Sequence, residues 1–168
     1  ETRLPGFYAS VGEWSRTEFE GREIVVQDGS SMGDTVSCSL HTALDHVLGG
    51  RYRKFLENRH ALHYYPVAVA RDSRCADGRI RAEVRIRGGC VDLAAGLAFG
   101  LLNVGNSLVL AVDASVGELQ LLEFVNNTRH FRERTTVDIP TDRWLRLEVT
   151  VAGRQGTGTL DDRTYLRF

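Results

Sequence analysis

The sequence predicts an all-β protein, an antiparallel β-sandwich or jelly roll, and three observations carry that expectation. From Pro66 onward the apolar residues tend to recur at every second position, the beat of a strand with one buried face. Turn residues punctuate the same stretch at intervals of roughly ten residues, as in sandwiches and barrels. No helical segment fits between those strands, which excludes a parallel α/β sheet with its crossover helices. The chain has 168 residues. At about 150 residues per domain, residues 1–168 form one domain, with a core large enough to fold without staples.

The elements follow in order. Residues 1–62 read as an irregular N-terminal part. There Gly6, Gly12, Gly21, Gly29 and Gly33 punctuate short apolar runs such as Ile24-Val25-Val26, giving one or two short strands joined by turns. Ser37–Leu48 has the helical period: Leu40, Ala43, Leu44, Val47 and Leu48 share one face, and Gly49-Gly50 stops it. A further turn through Tyr52–Leu56 makes a helical insertion over residues 37–56. Then Arg79–Arg87 alternates without a break, with Ile80, Ala82, Val84 and Ile86 on one face. Leu93–Leu102 is nearly all apolar and small, which predicts a central strand covered on both sides. Leu108–Val112, Glu118–Val125 and Phe131–Val137 are the next strands. Trp144–Val151 alternates again with Leu145, Leu147, Val149 and Val151 inward, while Trp144 itself is read as a packing residue. Gly156–Leu160 and Thr164–Phe168 close the chain around an Asp161-Asp162 turn.

Composition narrows the function classes. The 21 Lys and Arg against 22 Asp and Glu leave a formal charge of −1, without the basic excess of a general nucleic-acid binder. No apolar stretch approaches the roughly 20 residues of a membrane-spanning helix. Cys38, Cys75 and Cys90 allow at most one disulfide, so the redox compartment stays open.

Candidate chemistry is sparse. A retaining glycosidase needs two carboxylates about 5 Å apart, supplied most simply by alternate positions of one strand. No strand offers them: Glu118 and Glu123 are five apart and face opposite ways, and Glu83 stands among arginines. His41, His46, His60 and His63 with Cys38 match no strong zinc spacing, and a Cys38–His63 nucleophile pair lacks an orienting third group. Arg79, Arg81, Arg85 and Arg87 form a stripe. It reads either as a solvated sheet face balanced by residues such as Glu148, or as a grip for an acidic polysaccharide. Tyr64 and Tyr65, adjacent in an extended segment, point opposite ways, so one ring faces outward and is a candidate to stack on a sugar. Asp72, Asp77 and Asp92 are turn acids first and ligands for calcium or a sugar second. No other cofactor is expected.

Several segments carry a resemblance. Tyr65-Pro66-Val67-Ala68-Val69 followed by Asp72-Ser73-Arg74-Cys75-Ala76-Asp77-Gly78 resembles the opening of a bacterial concanavalin A-like jelly-roll domain. That group is described as laminin-G-like, or as related to family-16 glycoside hydrolases and three-keto-disaccharide hydrolases. Gly89–Phe99 looks like its second core strand, and Asn106 onward like its next strand pair. Asp142–Val149 resembles its W-x-x-L-x-V strand, and Leu160-Asp161-Asp162-Arg163 stands where it carries L-D-G-R. The likeness covers about residues 63–168 and its motifs are structural. The sequence departs from the pattern in the helical insertion, in Cys75 where an aromatic is usual, and in stopping at Phe168 before a closing strand. Residues 1–30 are expected to supply that strand, with truncation or a partner chain as alternatives; an unpaired edge invites self-association.

The resemblance implies a secreted or periplasmic module, in keeping with the leaderless Glu1 start. It would bind a glycan or another surface molecule without catalysis of its own. Its expected ligand-binding residues are Tyr64, Tyr65, Asp72, Arg74 and Asp92. The alternatives are a saccharide-acting hydrolase or lyase on the same fold, and an assembly subunit completed by strand exchange.

Overall fold

The computed structural model describes residues 6–28, 66–71, 76–88, 93–103 and 105–168, which consist of antiparallel strands and their connections. The helical insertion expected at 37–56 lies outside the described residues, as do Cys38, Cys75 and Cys90. The chain divides into two compact units, Glu1–Ser73 and Arg74–Phe168.

In the first unit, β1 (Phe7–Val11) pairs antiparallel with β4 (Val67–Ala70), and β2 (Glu13–Phe19) pairs with β3 (Arg22–Asp28). Ile24-Val25-Val26 is thus strand, as its β-branched composition predicts. The β2–β3 connection is the two-residue Glu20-Gly21, with φ of 51° and 73°. Both values are positive, as in the turn whose twist matches that of the flanking strands. Arg16 and Glu23 pair across this hairpin.

The second unit is a β-sandwich. One sheet has the order β12-β11-β10-β5, from β5 (Gly78–Arg85), β10 (Trp144–Ala152), β11 (Gln155–Leu160) and β12 (Arg163–Arg167). The other has the order β6-β7-β8-β9, from β6 (Ala94–Asn103), β7 (Asn106–Asp113), β8 (Glu118–Val125) and β9 (Thr128–Thr136). Alternation drives the packing. Leu110, Val112 and Leu119 from one sheet and Leu145, Leu147 and Val149 from the other are wholly buried in a common core. Each such side chain contributes about 1.5–3 kcal/mol of burial. Ile80, Val84, Ile86 and Val151 join that core as their period predicts. Val137 and Ile139, between β9 and β10, are buried in it too and anchor the crossover from one sheet to the other.

Two expectations are corrected. Leu93–Leu102 is not a central strand covered on both sides: β6 is an edge strand, with Ala95, Leu97 and Phe99 turned inward and Ala94, Gly96, Ala98 and Gly100 exposed. Alanine and glycine count as apolar but have little surface to bury, so their outward positions cost little. Nor, among the described residues, do those of 1–30 close a sandwich sheet. Their described strands pair with one another and with β4, and both four-stranded sheets are built from residues 78–167.

Candidate ligand-binding face

The expected ligand-binding residues Tyr64, Tyr65, Asp72, Arg74 and Asp92 all lie outside the described residues, as do His41, His46, His60 and His63. Asp77, just before β5, accepts a hydrogen bond from the Gly153 amide at 2.7 Å, so its carboxylate serves the connection after β10 rather than its own turn. Among the described residues no group of three or more His, Cys, Asp and Glu is arranged to hold a metal. Glu118 and Glu123 do face opposite ways. Glu118 accepts a hydrogen bond from Gln120, two residues along the same outward face, at 3.0 Å. Glu123 lies opposite Leu108, on the inward side.

What the structure does assemble is the outer face of the β12-β11-β10-β5 sheet. The period that turns Leu145, Leu147 and Val149 inward turns Trp144, Arg146, Glu148 and Thr150 outward. Strand register then sets the rows. In the first, Arg79, Thr150, Thr157 and Arg167 lie side by side across the four strands; in the second, Arg81, Glu148, Thr159 and Thr164 do. The third places Glu83 beside Arg146, next to the Asp161-Asp162 turn, and the fourth places Arg85 beside Trp144. Neighbouring strands are about 4.8 Å apart and successive rows about 6.7 Å.

Ion pairs organise this lattice. Arg81 directs Nε and Nη2 to one oxygen of Glu148 at 2.8 and 2.7 Å, and Arg79 Nε stands 3.3 Å from the other oxygen. Glu148 is thereby clasped by two guanidiniums, its side chain 15% exposed while theirs remain 62% and 49% exposed. Arg146 reaches Asp162 at 2.7 Å and Glu83 at 3.6 Å. The hydrogen bond and charge of Asp162, with Glu83 adding less, raise the Arg146 guanidinium above its ordinary arginine pKa. Asp142 lies 3.6 Å from both Arg85 and Arg87, and Arg143 pairs with Asp161.

The Asp161-Asp162 turn itself holds two positive φ angles, 48° and 66°. Asp162 occupies the left-handed position where the L-D-G-R pattern carries glycine, and its carboxylate is the one that meets Arg146. The sequence reads Trp144 as a packing residue. It is half-buried on the outer face, one position before the inward Leu145.

The outer face of the other sheet differs. At its centre Ala111, Leu122 and Phe124, with Ser107 and Gln120, are buried. Toward its edge Phe131 carries the Arg129 and Arg134 guanidiniums 4.9 and 5.4 Å from its ring centre.

No protein-family profile and no curated protein matches the chain. Among solved structures the fold is similar to the carbohydrate-binding module CBM66 from Bacillus subtilis, with a TM-score of 0.65 and 17% identity. That match covers 96% of this chain and 78% of the other. At that identity the likeness establishes the antiparallel β-sandwich.

Proposed function

We propose that the protein is a non-catalytic glycan-binding module, a β-sandwich of the concanavalin A-like kind working outside the cytoplasm. The observation that carries this reading is the outer face of the β12-β11-β10-β5 sheet. A sugar presents hydroxyls that both donate and accept, and an apolar ring face. This lattice offers arginines that only donate, carboxylates that only accept and threonine hydroxyls that do both. Trp144 supplies a flat ring at one end, beside Arg85 of β5. The likeness to a carbohydrate-binding module supports the reading at the level of the fold. Tyr64, Tyr65, Asp72, Arg74 and Asp92 are retained as further ligand contacts, with calcium the one ion worth testing there.

Affinity electrophoresis of the full chain through gels containing a panel of soluble polysaccharides, with and without chelator, tests this. At least one polymer should retard the protein without release of new reducing ends. Trp144→Ala should weaken that retardation about tenfold, the equivalent of about 1.4 kcal/mol. Free migration through every polymer would refute glycan binding, and accumulation of reducing ends would refute the absence of catalysis.

A further inference from the structure

We propose that the glycan on this face is an acidic polysaccharide, whose carboxylates dock on Arg79, Arg81 and Arg167 while its hydroxyls meet Thr150, Thr157, Thr159 and Thr164. This rests on the glycan-binding reading and narrows it to a ligand class. The first observation is charge segregation. A chain of formal charge −1 concentrates three arginines against one glutamate in the eight outward positions of its first two rows.

The second observation is how that glutamate is used. Glu148 lies between β5 and β11 and engages Arg79 and Arg81 from within, through Arg79 Nε and through Nε and Nη2 of Arg81. Both arginine side chains stay largely in water, Arg79 62% and Arg81 49% exposed. A guanidinium carries five N–H donors in a planar fork suited to a carboxylate. The clasp therefore fixes two exposed forks side by side without exhausting them, and this pre-organisation lowers the ordering cost of binding.

The third observation separates a polysaccharide from a nucleic acid. A nucleic-acid strand carries a negative charge at every nucleotide, whereas on this face Glu83 and Glu148 interrupt the arginines. Single-stranded nucleic acids also need successive aromatic platforms, and the outward positions of this sheet offer Trp144 alone as a flat stacking ring. A uronic acid polymer presents one carboxylate among several hydroxyls per sugar, which suits guanidiniums interleaved with threonines.

The experiment uses the full chain and four probes: polygalacturonate, the same polymer fully methyl-esterified, dextran, and an oligothymidylate of similar length. Polygalacturonate should bind, and esterification should weaken binding at least about tenfold, since it removes the charge that strengthens such hydrogen bonds. Affinity should fall as salt rises. Arg79→Gln/Arg81→Gln should weaken polygalacturonate binding by about ten- to a hundredfold. That variant leaves Glu148 without its clasp, so Arg167→Gln, which orphans no carboxylate, serves as the second test and should lose about fivefold. Arg134→Gln, on the opposite sheet, should bind as the parent does.

Equal binding of the esterified and free polymers would overturn the proposal, and so would oligothymidylate binding as tightly as polygalacturonate. Trp144-dependent binding of dextran with none of polygalacturonate would overturn it while leaving glycan binding intact. Failure of all polysaccharides, here and across the wider panel, would instead remove the glycan-binding reading itself.

Discussion

The two sheets of the sandwich bury their inner faces alike and treat their outer faces in opposite ways. On β10 every second residue is only partly buried, so the strand alternates between wholly buried Leu145, Leu147 and Val149 and outward Arg146, Glu148 and Thr150. On β8 the run Leu119-Gln120-Leu121-Leu122 is buried without interruption, and Phe124 beyond it is 5% exposed. A face free to carry arginines, glutamates and threonines is available to a ligand; one closed by leucine and phenylalanine is part of the packing. The same architecture thus leaves a polar outer face on one side and a buried, largely apolar one on the other.

The largest expected effect tests that asymmetry. Phe124→Ala on the outer face of the β6-β9 sheet should cost about 3 kcal/mol, close to Leu147→Ala in the central core. Thr159→Ala, at the corresponding depth on the other outer face, should cost less than about 0.5 kcal/mol. Urea titrations of the three variants give the comparison. A Phe124→Ala cost below about 1 kcal/mol would mean that the two outer faces are alike after all.

How much of this could be read from residues alone follows from what a period does and does not encode. Period 2 fixes which side of its strand a residue takes, so the inward sets Ile80–Ile86 and Leu145–Val151 were legible. The same rule, applied one position earlier, places Trp144 outward, where the structure has it half-buried. Register is not encoded that way. Glu148 was legible as a balance for the stripe of arginines, but which arginines it meets depends on a β5–β10 ladder joining residues nearly seventy positions apart. The run Leu93–Leu102 misled because small apolar residues imitate a doubly buried strand; burial on both faces falls instead to β7 and β8, the latter with leucine and phenylalanine among its outward residues. The pair Asp161-Asp162 was legible as a turn, and its contact with Arg146 was not. The tyrosines and aspartates expected as ligand contacts lie outside the described residues, and of the outer face of the β12-β11-β10-β5 sheet the residues alone carried the arginine stripe, while register added the rows beside it.

A smaller effect probes where β11 meets the chain's end. Gly156 exchanges backbone hydrogen bonds with Phe168, at 2.6 and 3.0 Å, and a Cβ added there would lie 2.2 Å from the Phe168 ring. Phe168 in turn packs on Phe99 of the opposite sheet, ring centres 5.8 Å apart. Gly156→Ala should displace that ring and cost about 1–3 kcal/mol, in the range of core overpacking, read as a lowered melting temperature. If the sheets are held at this end by Phe168, then Gly156→Ala combined with Phe168→Leu should lose less than the sum of the two. Strict additivity would place the tie between the sheets elsewhere.

The smallest effect is expected at β9, the charged edge of the sheet whose centre is apolar. Its pairing with β8 shifts register between Leu121 and Leu122, and Arg132 at that irregularity meets Glu123 at 2.6 Å. The hydrogen bond from Arg132 is the main cause that lowers the Glu123 pKa below its ordinary 4.5. Partial burial opposes it, and the charges of Arg132 and His130 add to it. A carboxyl whose pKa is lower in the folded than in the unfolded chain stabilises the fold above the unfolded value. It loses that contribution as pH falls through the folded value. The stability gap between the parent protein and Glu123→Gln should therefore be constant from neutral pH down to about pH 5.5. Below 4.5 it should close. Arg132→Gln should lose the same pH-dependent part, because the lowered pKa depends first on its hydrogen bond. Denaturant titrations at pH 7, 5 and 3 provide the measurement. A gap that stays constant across all three would assign the pair's role to holding the β9 irregularity in register, with its charge playing no part.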